Sequence, residues 1–220
     1  MSSPYVYLKK NIRKRLKKYW RALNGDHFDN AGAVTDDDFR VLMEGIDQVK
    51  PDVYLEIGTG KGYSAGKVFA YLRDKFPSCQ FYTIDIFEEH VKNIRAKFSS
   101  SPNFHAVLGL SISPEETTSP AREELRGYKG PVNVLRELIQ NELAKTKIDV
   151  AFIDSRKGSA LPEFFLVEKH LAPNGIIFCH DILNRGKGVE VLVYLQQHKE
   201  RYEYDVLDTG AAGMIRIRIK

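Results

Sequence analysis

The stretch Val53–Ala65, VYLEIGTGKGYSA, constrains this chain more than any other. Val53, Tyr54, Leu55 and Ile57 form a short apolar run of strand type. Gly58, Gly60 and Gly62 follow at alternate positions, and a helical pattern opens at Tyr63. Glycines allow positive φ and close approach of the backbone to a ligand, and the free N–H groups at a helix N-terminus favour an anion. A strand, a glycine turn and a helix start therefore predict a cofactor carrying a carboxylate or phosphate. The dinucleotide fingerprint places its third glycine inside the helix, whereas here it comes one position early.

A chain of 220 residues can build one α/β domain with a sizeable core, and 43% hydrophobic with 28% charged residues is ordinary for a globular protein. Cys79 and Cys179 lie far apart without metal-type spacing, so a disulfide framework is not expected and a reducing, cytoplasmic setting is the default expectation. No apolar run approaches membrane-spanning length, and no signal peptide is read at the N-terminus.

The net charge of +4 is unevenly spread. Lys9, Lys10, Arg13, Lys14, Arg15, Lys17, Lys18 and Arg21 crowd the first 25 residues, which hold no acid. Tyr5, Leu8, Ile12, Leu16, Tyr19, Trp20 and Leu23 recur at three- and four-residue steps, predicting a basic amphipathic helix over 1–25 ahead of a domain over 26–220. Docking on its own domain or on a second copy in a homodimer is favoured; an anionic membrane surface or nucleic acid is the alternative.

Further along, Thr35 is an N-cap candidate before Asp36, Asp37 and Asp38, opening a helix that ends before Pro51, and Ala33–Thr35 is a weak site candidate. A second strand over Phe81–Ile84 ends in Asp85, about twenty residues beyond the glycine turn, the offset at which a carboxylate accepts ribose hydroxyls. A helix near His90–Phe98 and a strand over Phe104–Leu108 lead to Gly109 and Ser111. Ile148–Ile153 reads as a fourth strand ending in Asp154, Leu161–Leu171 as a helix, and Ile176–Cys179 as a fifth strand ending in His180 and Asp181. Two last strands cover 201–207 and 214–219. Gly58, Asp85, Gly109, Asp154 and Asp181 thus all fall at the carboxyl ends of strands, where doubly wound sheets bind ligands.

The string E-I-G-T-G-K-G-Y-S over Glu56–Ser64 resembles motif I of class I S-adenosylmethionine-dependent methyltransferases, closest to the catechol and caffeoyl-CoA type O-methyltransferases. The resemblance implies a doubly wound, mostly parallel seven-stranded sheet with an antiparallel final hairpin. It implies S-adenosylmethionine held by Glu56, Gly58, Gly60, Gly62, Tyr63 and Ser64, with Asp85, Ile86, Ser111 and Asp154. From the same family come Mg²⁺ on Asp154 and Asp181 and a lysine at Lys157. Ile182 stands where the family has a third, asparagine ligand, so the metal is left open, and His180 is an alternative base or metal ligand. The stretch 112–146 departs from the family and reads as an inserted lid or pocket wall, or else a surface excursion. The motifs of amino-group and pyrimidine-carbon methylation are missing, which leaves a hydroxyl of a small molecule or sugar as the acceptor. An RNA methyltransferase using the basic arm, or a non-catalytic cofactor-binding protein, remains as an alternative.

Overall fold

The computed structural model describes residues 34–183, 187–209 and 212–220; the basic arm and Ala33 lie outside the described residues. Helix α1 (Asp36–Val49) opens on a capping box. Thr35 Oγ1 faces the Asp38 N–H at 3.3 Å, and the Asp38 carboxylate accepts the Thr35 N–H at 2.7 Å. Then come β1 (Val53–Ile57), α2 (Tyr63–Lys75), β2 (Gln80–Asp85), α3 (Glu88–Lys97) and β3 (Phe104–Leu108). A short 3₁₀ turn, Pro114–Glu116, precedes α4 (Ser119–Leu125) and α5 (Val134–Asn141). The chain ends with β4 (Ile148–Ile153), α6 (Ala160–Glu168), β5 (Leu171–His180), α7 (Val189–Gln197), β6 (Tyr202–Leu207) and β7 (Met214–Ile219).

The sheet has seven strands in the order β3-β2-β1-β4-β5-β7-β6; β1 to β5 run parallel, and β7 is antiparallel to both β5 and β6. This is the expected doubly wound sheet with an antiparallel closing hairpin. The strand order reverses between β1 and β4, which opens a crevice at their carboxyl ends. Register sets that crevice: Ile57 pairs with Ile84 of β2 and with Ile153 of β4, so the three strands end level and Gly58, Asp85 and Asp154 emerge side by side.

Both sheet faces are covered, as parallel strands require. On one side Tyr54, Phe81 and Phe104 stack across β1, β2 and β3, with centroids 5.0 and 5.2 Å apart, and Phe69 of α2 packs edge-on against Phe81 and Phe104. On the other, Leu55, Ile57, Ile153 and Ile177 meet Leu135, Leu138, Phe164 and Leu195 of α5, α6 and α7. Helix α5 falls in the stretch expected as a lid, yet it buries Val134, Leu135, Leu138 and Ile139 and serves as the crossover helix between β3 and β4. The segment between Ser113 and Pro131 is tied beside the β4 tip by Thr118 N–H to Gly158 C=O at 3.1 Å.

Two local readings differ from expectation. The helix expected to run to Leu171 stops at Glu168, and the Pro173-Asn174-Gly175 turn lies inside β5, where pairing jumps from Ile148–Leu171 to Val150–Ile176. Helix α4 follows Thr118 with a proline in its first turn; its short polar sequence carries too little periodicity to be read.

Gly45 of α1 sits against Phe178 of β5, where an added Cβ would lie 2.5 and 2.9 Å from ring atoms of a side chain that is fully buried. Gly45→Ala gains about 1 kcal/mol of helix propensity but forces overpacking that costs ~1–3 kcal/mol. Urea denaturation is expected to show a net loss of stability.

Candidate active site

Gly58, with φ 102°, continues β1 into the turn so tightly that a Cβ there would run into the Asp154 carbonyl; the turn can form only with glycine at that point. Gly60, with φ 52°, has open space where a Cβ would be. Its N–H donates to Asp85 Oδ2 at 2.7 Å, and Asp85 Oδ1 accepts the Phe87 N–H at 2.8 Å. Asp85 is thus fixed by two backbone donors while keeping free acceptor capacity on each oxygen.

A cavity of about 270 Å³ lies at these strand ends, lined among others by Gly58, Gly60, Asp85, Ile86, Phe87, Gly109, Ser111, Asp154, Ser155, Glu163 and Lys187. Of the residues expected to hold a cofactor, Gly58, Gly60, Asp85, Ile86, Ser111 and Asp154 line it. Glu56, Gly62, Tyr63 and Ser64 do not. Glu56 is buried beneath the turn and accepts the Ser64 hydroxyl at 2.5 Å, tying β1 to the first turn of α2. Burial raises the Glu56 carboxyl to about 8, with the Asp154 and Asp85 charges adding to that and the Ser64 bond opposing it. Gly62 is the N-cap of α2, and Tyr63 is exposed, edge-on to Phe39 with Lys67 Nζ 4.8 Å over its ring. These four build the turn from behind.

Glu163 was not readable as a site residue, although a lone acid among Ala160, Phe164 and Val167 on the buried face of an apolar helix is a signal. It accepts hydrogen bonds from Ser111 and Ser155. Burial pushes its carboxyl up to about 7 against these two bonds and the Lys187 charge. Ser111 therefore reaches the cavity already engaged through its side chain.

The tips of β4 and β5 carry a buried ion cluster. His180 is 1% exposed, with Nε2 3.3 Å from Asp38 Oδ2 and Nδ1 3.5 Å from Asp154 Oδ1 and 3.7 Å from Asp181 Oδ1; these are ion-pair distances without aligned hydrogen bonds. Burial alone would lower the imidazole, but the Asp154 and Asp38 carboxylates outweigh it and raise it to about 10. With its pKa so raised, the imidazole is held cationic at neutral pH among the carboxylates around it. Asp38 is held below the usual carboxylate range. Its burial is outweighed by His180, Thr209 and Thr35.

Asp181, fully buried, turns the chain at φ 58°, a left-handed conformation that aspartate tolerates better than most residues. Lys187 Nζ lies 2.7 Å from Asp181 Oδ2 and 3.0 Å from Asp154 Oδ1. Lys157, the lysine expected here, is instead exposed in the turn after β4. Asp154, His180 and Asp181 do each offer a ligand atom within 4.8 Å of the others. The set nevertheless does not fit a divalent cation as arranged: the Lys187 ammonium already stands between the two carboxylates, and the third position is the apolar, buried Ile182. No helix among the described residues is long and apolar enough to cross a membrane.

A histidine whose folded value is raised stabilises the fold fully below pH 6.5, and that stability is lost as pH rises through about 10. The raised Glu56 and Glu163 act in the same direction and level off earlier, near 8 and 7. The thermal midpoint is expected to fall between pH 6.5 and 10, and to fall less steeply in His180→Gln.

Comparison with known proteins bears on this site. Solved structures share the fold at low identity. The Podospora anserina methyltransferase PaMTH1, SAH-bound, is 16% identical with a TM-score of 0.63 over 98% of this chain and 93% of its own. The Bacillus cereus O-methyltransferase in complex with SAH is 19% identical, with a TM-score of 0.63 over 96% and 91%. The O-methyltransferase TomG from Streptomyces achromogenes, in complex with SAM and involved in tomaymycin synthesis, is 15% identical, with a TM-score of 0.61 over 95% and 89%. Residues 55–182, from within β1 to just past Asp181, match the family described as methyltransferase domain. With more than half of its length in that match, the chain belongs to the methyltransferase domain family.

Proposed function

We propose that this protein is an S-adenosylmethionine-dependent O-methyltransferase acting on a hydroxyl of a small molecule or sugar. The observation that carries the reading is the pairing of Gly60 and Asp85 across the β1 and β2 tips: an open glycine cradle beside a carboxylate held at 2.7 Å from its N–H. A nucleoside laid there meets unobstructed backbone at Gly60, and Asp85 has acceptor capacity left for both ribose hydroxyls. Ile86 and Phe87 line the same cavity and supply apolar surface beside that carboxylate. The family match and the SAH- and SAM-bound O-methyltransferases of similar fold support the same cofactor.

When bound, S-adenosylmethionine would supply an electrophilic methyl group on a sulfonium for transfer to a hydroxyl oxygen, the C–S bond breaking as the C–O bond forms and leaving a neutral thioether and one proton. Asp154 is the carboxylate at the β4 tip that lines the cavity, and it receives that proton.

Calorimetric titration with S-adenosylmethionine tests the cofactor assignment. Asp85→Ala removes charge-assisted hydrogen bonds worth ~2 kcal/mol or more together, so affinity is expected to drop by at least about 30-fold. Unchanged affinity in Asp85→Ala, or NAD binding in place of S-adenosylmethionine, would overturn the reading.

A further inference from the structure

We infer that Lys187 is the resident cation of this site, its ammonium occupying the place between Asp154 and Asp181 that a divalent metal takes in the catechol-type enzymes, so that the site works without a metal. The inference rests on the methyltransferase reading above and deepens it. Lys187 Nζ stands 2.7 Å from Asp181 Oδ2 and 3.0 Å from Asp154 Oδ1, and its side chain is only 18% exposed. An ammonium so placed donates one N–H to Asp154, pairs with Asp181 through its charge, and has donor capacity left. Lys187 also lines the cavity, where that capacity meets an acceptor oxygen and stabilises the negative charge it develops.

The backbone holds the lysine in this position. Its N–H donates to the Asp181 carbonyl at 3.2 Å, and at Gly188 a Cβ would lie 2.6 Å from Ile182 Cγ2, so the start of α7 is seated on the Asp181–Ile182 segment with only glycine fitting. Around it, Asp38, Asp154 and Asp181 face His180 and Lys187, and the Lys187 ammonium already stands against both carboxylates at the β4 and β5 tips. Metal entry would place two more positive charges beside an ammonium in a buried site, or expel that ammonium from both carboxylates. Mg²⁺ also asks for oxygen ligands in octahedral array, and Ile182 has no side-chain oxygen to give.

Mn²⁺ binding read by electron paramagnetic resonance tests this on the full chain without any need for the acceptor. The wild type is expected to leave the free Mn²⁺ signal unchanged, and its thermal midpoint is expected to be the same in EDTA as in Mg²⁺. Lys187→Ala, or Lys187→Met if the smaller side chain prevents folding, frees both carboxylates and is expected to bind about one Mn²⁺ per chain. Lys187→Arg, which keeps the charge, is expected to bind none. Stoichiometric Mn²⁺ binding by the wild type, abolished by Asp181→Asn, would overturn the inference, as would a folded Lys187→Ala that takes up no Mn²⁺. Calorimetry of the same wild-type sample with S-adenosylmethionine reads the cofactor separately: binding there alongside Mn²⁺ uptake defeats the lysine assignment alone, and no binding defeats the methyltransferase site alone.

Discussion

The arrangement depends on a chain of buried charges that begins in a helix cap. Asp38 closes the capping box of α1 with Thr35 and at the same time faces His180 of β5, which faces Asp154 at the end of β4; Lys187 then ties Asp154 to Asp181. Every member would be costly alone, because a buried ion without a partner carries its full desolvation penalty. Together they fix α1, the tips of β4 and β5, and the entry to α7 relative to one another, on the side of the crevice opposite Asp85. One carboxylate of the chain, Asp154, looks into the cavity, and the rest decide its surroundings.

The nucleoside side of the crevice is built by a different means. There the backbone does the positioning: Gly58 passes so close to Asp154 that a side chain cannot be accommodated, Gly60 presents its N–H to Asp85, and Glu56 holds Ser64 from beneath. The register of β1 with β2 and β4 brings these to one level. Backbone-made recognition around the Asp85 carboxylate on one side and an ion cluster on the other suit a cofactor that must be gripped and an acceptor whose oxygen must gain charge.

What the sequence made legible follows from how local each signal is. The glycine turn, Asp85 and Asp154 each belong to a strand and the turn after it, and strand ends can be found from apolar runs, so these residues could be placed at the crevice before any coordinates. Glu56 and Ser64 were read into the pocket because they belong to the motif, yet they work one layer below it. Lys157 was placed by the family resemblance, and it is exposed in the turn after β4. Lys187 reaches the carboxylates from just before α7, where no periodicity points to them, and Asp38 from the first turn of α1, where it reads as an ordinary helix-terminal acid. Long-range pairings of this kind leave no spacing in the chain.

A crystal structure of the protein grown with SAH tests the account most directly. The account predicts the ribose hydroxyls within hydrogen-bond distance of Asp85, the backbone of Gly60 against the ligand, and the Lys187 ammonium still between Asp154 and Asp181. A nucleoside bound away from the β1 and β2 tips, or a metal ion between the two carboxylates with Lys187 turned away, would contradict it.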